Sequence, residues 1–228
     1  MTHLVTCVDE SRVEMGDLGL DAEGYAALYM DLRCYCRVTP LQYYMLGATL
    51  LRGLAGRLKP KNCLDVVDKG FHLKAYPNRY QGILLELYTS ALNSKIKECI
   101  VLAVVASSPR GMARLVKDAS RLKGYRKVFI VTDERWARAR EAAGILHRVH
   151  SRQGFKVHVL PKPCITHSFC DALARYAAIT TWLKEARLRL AATHIPELLH
   201  TLVRVERIHK TLMEKIRSVL RDRLLEEL

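Results

Sequence analysis

The sequence predicts an α/β protein. Its sheet should be mixed, an antiparallel meander joined to parallel strand–helix–strand units, with helices on both faces and a C-terminal amphipathic helix. Three observations carry this. Ile100–Ala106 is apolar at every position, the mark of a strand covered on both faces. From 98 to 160, short Val- and Ile-rich runs alternate with helical spacings, which implies parallel pairing through crossovers. From Leu198 to Arg223, apolar residues recur at alternating four- and three-residue steps.

The elements follow in order. Residues 9–23 are acidic and read as an irregular lead-in. Tyr25, Leu28, Tyr29 and Leu32 have helical spacing and predict a helix over 21–37. Thr39-Pro40 opens a second helix that ends near Gly56. Segments near 63–67, 71–76, 82–89 and 98–106 read as strands, punctuated by Gly70, Pro77-Asn78 and Asn93-Ser94. Ser107-Ser108-Pro109 caps a helix to about Lys123, stopped by Gly124. Val128–Val131 is a strand, and Thr132-Asp133 starts a helix to Arg152, stopped by Gly154. A strand from Phe155 to Leu160 precedes a helix over 166–192, and Pro196 opens a last helix to the C-terminus. Residues 1–193 are thus expected to form the core domain with N-terminal helices. Residues 194–228 add a helix for packing or dimerisation.

Composition narrows the class. Half the residues are apolar and 26% are charged, a globular balance that excludes wholesale disorder. No uncharged apolar stretch is long enough to span a bilayer, and the first ten residues lack a basic n-region. The expectation is a soluble cytoplasmic protein with no membrane partner. Only six residues are Asn or Gln, a depletion expected of a thermophile, in which an intracellular disulfide is admissible.

Charge is segregated. Residues 1–60 carry a net −1, residues 194–228 a net +1, and residues 61–193 the remaining +14. A localised positive field favours a polyanionic partner. Arg110, Arg114, Lys117 and Arg121 fall on one face of the helix that begins at Pro109, opposite Met112, Leu115, Val116, Ala119 and Leu122. Lys123, Arg126 and Lys127 follow. Long cations on a rigid element suit backbone phosphates, so these seven residues are the expected nucleic-acid contacts. Arg135, Arg138, Arg140, Arg148 and Arg152 extend the surface, and Tyr76, Tyr80 and Tyr125 lie near basic residues.

The order helix–three strands–helix–strand over residues 40–131, with Val101-Leu102-Ala103-Val104-Val105-Ala106-Ser107-Ser108 leading into a helix, resembles the core of the PD-(D/E)XK nuclease superfamily. The resemblance covers about 40% of the chain and implies a nuclease-type fold. In that family two acidic residues and a lysine hold a divalent cation and activate water. Here the carboxylate position falls on Ala103, the lysine on Val105, and the preceding aspartate near Gln81 or Gly82. The expected protein is therefore a nucleic-acid binder without cofactor rather than an enzyme. The alternative is a Mg²⁺-dependent nuclease with a displaced site at Asp65, Asp68 or Glu86, near Glu98. The strand–Ser107-Ser108-Pro109-Arg110-Gly111–helix and strand–Thr132-Asp133–helix units also look like a Rossmann-type nucleotide-sensing domain. Ser107, Ser108 and Thr132 would then meet phosphate, although no GxGxxG or P-loop is present.

Cys164, His167 and Cys170, with His158, have three-residue steps that suit zinc only if a helix starts early. Pro163 places Cys164 before the helix, so no metal site is expected. Cys34 and Cys36 point to different helix faces and make no redox pair; His147 and His150 read as helix surface. The seam of Leu198, Leu202, Val205, His209, Leu212, Ile216, Val219 and Arg223 must be covered, either by its own domain or by a second copy in a homodimer.

Overall fold

A computed structural model describes residues 3–15, 19–36, 97–132, 137–160, 166–192 and 196–228. The strands are β1 (His3–Met15), β2 (Leu20–Asp31), β3 (Ile100–Ala106), β4 (Lys127–Thr132), β5 (Lys156–Leu160) and β6 (Leu224–Glu227). The helices are α1 (Pro109–Asp118), α2 (Ala137–Arg152), α3 (Thr166–Ala192) and α4 (Pro196–Leu220). Six strands form one sheet in the order β5-β4-β1-β2-β3-β6. Only β2 runs against its neighbours; the β4–β1, β4–β5 and β3–β6 pairs are parallel. The mixed α/β architecture is as the sequence predicts, and among the described residues no helix is long and apolar enough to cross a membrane.

The antiparallel component comes from an unexpected place. Residues 9–23 are not a lead-in and 21–31 are not helical; β1 and β2 form a long hairpin, Leu4 facing Asp31 at one end and Met15 facing Leu20 at the other. Helix follows only at 32–36. The misreading has a cause. Residues 24–30 are buried on both faces, so the segment is apolar throughout and has no period of two. Tyr25, Leu28 and Tyr29 then match a helical spacing by chance. In β1, the charges of Asp9, Glu10 and Arg12 hide an alternation in which Leu4 and Val8 join one core and Val5 and Cys7 the other.

The expected helix over 40–56 and the strands near 63–67, 71–76 and 82–89 lie outside the described residues, as do Asp65, Asp68 and Glu86. The strand near 98–106 begins at Ile100, after a helical turn at Lys97–Cys99 that contains Glu98. The disulfide Cys34–Cys99 joins the turn after β2 to the start of β3, 65 residues apart in sequence.

One face of the sheet carries α1 and α2, which pack on each other and bury Met112, Val116, Ala142, Ala143 and Leu146 against Leu4, Tyr29, Leu102, Val104, Val128 and Ile130. The other face carries α3, across β1, β2 and β3, with α4 outside it. The approach of α3 is close. A Cβ on Gly24 would stand 2.1 Å from the Ala178 nitrogen and 2.3 Å from the Ala174 oxygen. Ala172, Ala174, Ala177 and Ala178 complete this small-residue contact, so helix backbone meets strand backbone. Arg175 donates to the Arg12 carbonyl (2.7 Å) and Arg189 to the Gly19 carbonyl (3.3 Å), tying α3 to the hairpin along its length.

The C-terminal helix stops at Leu220, short of the expected chain end. A 3₁₀ turn at 221–223 leads into β6, which pairs with β3. The edge of β3 offers a ladder of unpaired backbone groups, and Leu224-Leu225-Glu226-Glu227 takes it. The seam of α4 is covered from within: Leu198, Leu202, His209 and Ile216 are buried, the first two with Trp182 and Leu183 of α3. Beside the seam, Leu199 and Val203 stay exposed.

Two histidines are interior. His150 is not helix surface: its Nε2 meets the Tyr29 hydroxyl at 2.9 Å, fully buried, whereas His147 is exposed. His209 Nε2 lies 2.7 Å from the Thr180 hydroxyl, beneath the Tyr176 ring. The Thr180 hydroxyl donates to the Tyr176 carbonyl, so it accepts from His209 Nε2–H. Burial first lowers both pKa values, to about 4; His147 adds to this at His150, and Arg217 and Arg187 at His209.

Three outcomes follow. Gly24→Ala should lower stability by about 2–3 kcal/mol, because a backbone must move to admit a methyl group; a urea melt reads it. Opening the disulfide with Cys34→Ser and Cys99→Ser should cost up to about 4 kcal/mol, the chain-entropy value for such a loop, seen as a lower melting temperature. The unfolded chain protonates each histidine near its ordinary value of 6.5, and the folded chain only near 4. Stability is therefore complete above pH 6.5 and falls as pH drops towards 4, by roughly 3 kcal/mol per histidine. Urea midpoints at pH 7 and 4.5 should differ, and His150→Gln should flatten that difference.

Candidate nucleic-acid interface

The predicted basic helix forms for local reasons. Ser108 is extended (φ −148°, ψ 154°) and its hydroxyl accepts from the Gly111 N–H at 3.0 Å, an N-cap with Pro109 in the first turn. Met112, Val116 and Leu122 are buried and Leu115 and Ala119 partly so, the inward face expected from their spacing. The helix is shorter than predicted. It ends at Asp118, and Ala119 is extended; Ser120–Leu122 is a 3₁₀ turn, closed by Gly124 at φ +95°. Arg121 and Lys123 thus sit on a separate turn rather than the last turn of one rod.

Arg110, Arg114, Lys117, Arg121, Lys123 and Arg126 are exposed; Lys127, the first residue of β4, is half-buried. The four cations of the stripe divide into two pairs. Arg114 forms an ion pair with Glu227 and Arg121 with Asp222, both acids from the C-terminal segment. Arg110 and Lys117 make no ion pair among the described residues. Local spacing on the helix carries no sign of these acids, which lie more than 100 positions away.

The neighbouring helix enlarges the surface. Arg140, Arg148 and Arg152 of α2 and Lys156 of β5 are exposed, and Arg138 pairs with Glu23. The Gln153 side chain donates to the Lys117 carbonyl at 2.9 Å, and the Lys156 N–H to the Arg126 carbonyl at 2.9 Å, so both basic stretches are held in one layer. Among the described residues, Arg110, Lys117, Lys123, Arg126, Arg140, Arg148 and Arg152 are exposed on this layer without an ion pair, whereas Lys156, next to the inward Val157, points to the opposite face of the sheet. Asp118 and Glu141 are the exposed acids on its helices. Tyr125 is half-buried, its pKa raised by burial; Tyr76, Tyr80 and Arg135 lie outside the described residues.

The residues proposed to cradle a nucleotide phosphate are differently employed. The Ser107 N–H donates to the Glu227 carbonyl at 3.1 Å, and the Ser108 hydroxyl caps α1. Thr132 faces Val8 at the end of the β4–β1 ladder with its hydroxyl buried and without a hydrogen-bond partner among the described residues. Beyond it, Asp9 and Glu10 are buried, and Asp9 Oδ1 accepts from the Glu10 N–H at 2.8 Å.

No metal centre assembles from the described residues. Cys170 is buried on α3, where its thiol donates towards the carbonyls of Cys7 (3.1 Å) and Ala26 (3.3 Å). His158 stacks on Phe129 with ring centroids 5.2 Å apart. Cys164 and the His167 side chain lie outside the described set. Comparisons with family models, curated proteins and solved structures gave no match, so the reading of this surface rests on its own geometry.

Proposed function

We propose that the protein binds nucleic acid through the outer surface of the α1–α2 layer, by contacts to backbone phosphates and largely without sequence preference. The observation that carries this is a set of seven exposed Arg and Lys side chains without an ion pair among the described residues, five on two helices fixed side by side and two, Lys123 and Arg126, in the turn that follows α1. Unpaired cations on a rigid layer release counterions when they meet phosphates, and they spend little conformational entropy on positioning. The layer offers cations rather than shape-matched polar groups, which favours backbone contacts over base readout. No step in this reading requires a metal or cofactor.

The test is a mobility shift with single- and double-stranded DNA and RNA at two salt concentrations. If about six phosphates are neutralised, log K should fall against log salt with a slope near −5. The double reversal Lys117→Glu with Arg148→Glu should weaken binding by at least about tenfold and flatten that slope. Binding that ignores salt, or survives the reversal unchanged, would overturn the proposal. Oligonucleotide cleavage in Mg²⁺ or Mn²⁺ would replace it with a nuclease, to be checked by Asp68→Ala.

A further inference from the structure

The acids that pair with Arg114 and Arg121 both come from the last seven residues. β6 runs parallel to β3 from Ala103 to Ala106, and Leu224 and Leu225 pack into the two cores on opposite faces of the sheet. Glu226 is held by Arg217 (2.8 Å) and by the Tyr176 hydroxyl (2.9 Å), on the α3–α4 side. Glu227 points to the other side. Its carboxylate lies over the first turn of α1, 2.7 Å from where a Cβ on Gly111 would stand, and pairs with Arg114. Asp222 pairs with Arg121.

We infer that Asp222 and Glu227 are a built-in competitor for the polyanion, guarding a latent phosphate-contact site at Arg114 and Arg121. The inference rests on the nucleic-acid reading above. The strand cannot leave cheaply, because its leucines are part of the core and its backbone completes the β3 ladder. Its outward acids can. Arg114 is 72% exposed and Asp222 70% exposed, so both pairs stand in water, where an ion pair contributes little. A nucleic-acid backbone presents a denser run of negative charge than one carboxylate, so phosphates displace these side chains while β6 stays in place. The bound state then uses Arg110, Arg114, Lys117 and Arg121 together, and the C-terminal acids set how much salt or ligand that takes.

The experiment compares the full chain with the double variant Asp222→Asn, Glu227→Gln, using fluorescently labelled duplex DNA and single-stranded RNA over a salt series. Both substitutions keep side-chain size and leave the β6 backbone intact; thermal melts confirm folding. The double variant should bind at least about threefold more tightly, with the log–log salt slope steeper by about 1–2, since two more cations meet phosphates. A control of equal charge change, Glu185→Gln with Glu214→Gln on the exposed α3–α4 side, should leave the slope unaltered. Adding Arg114→Gln and Arg121→Gln to the double variant should abolish its gain. An unchanged slope in the double variant, or an equal gain in the control, overturns the inference while leaving the nucleic-acid reading intact. If neither the parent nor the double variant binds, both fail. Binding by the double variant alone supports the guarded site in its strongest form.

Discussion

The structure depends on one close contact, the backbone of α3 laid on the backbone of the β1–β2 hairpin at Gly24. A side chain there would hold the helix off the sheet. With none, Ala172, Ala174, Ala177 and Ala178 pack against the strands, and the 27-residue helix runs along the hairpin beyond the shorter parallel strands. Among the described residues, the distal half of the hairpin pairs with no other strand. Val13, Leu20 and Ala22 are covered there by Trp182, Leu183 and Ala186 of α3 and by Leu198 and Leu202 of α4. Remove the close approach and these hairpin residues lose their cover from α3 and α4.

The same contact decides which face α1 and α2 occupy. With α3 and α4 on one side, the crossovers through α1 and α2 share the other, and those helices come to lie against each other. Their inward residues are small or aliphatic. Their outward residues are mostly Arg and Lys, with few acids to neutralise them locally. Two basic helices far apart would offer two weak patches; side by side they offer a single field.

Buried polar groups are placed at joints between layers. Tyr29 and His150 link the C-terminal end of β2 to the last turn of α2, and Thr180 and His209 link α3 to α4. Each pair excludes a charged imidazole from the interior, which couples helix docking to protonation. Glu226 and Glu227 divide in the same spirit. Successive residues of a strand point to opposite faces, so one acid secures β6 to the α3–α4 side and the other meets the basic layer.

Much of the second half was legible from local signals. The Ser108 cap, Gly124 and Gly154 at positive φ, and Pro196 at the start of α4 act over a few residues, and they bound elements close to where the sequence places them. The cationic spacing on α1 and its apolar inward face belong to the same class of short-range information. By itself, then, the sequence determined the alternation of strand and helix from Ile100 onwards and the concentration of positive charge within it. Only the tertiary structure decided that residues 20–31 are a strand, that the chain ends in a strand on β3, and that Glu227 meets Arg114 across 113 positions. Each depends on which distant surface is available to pair with. A segment apolar on every face, or a short Leu-Leu-Glu-Glu, fits more than one local conformation until a neighbour's open edge or close-packed helix selects one.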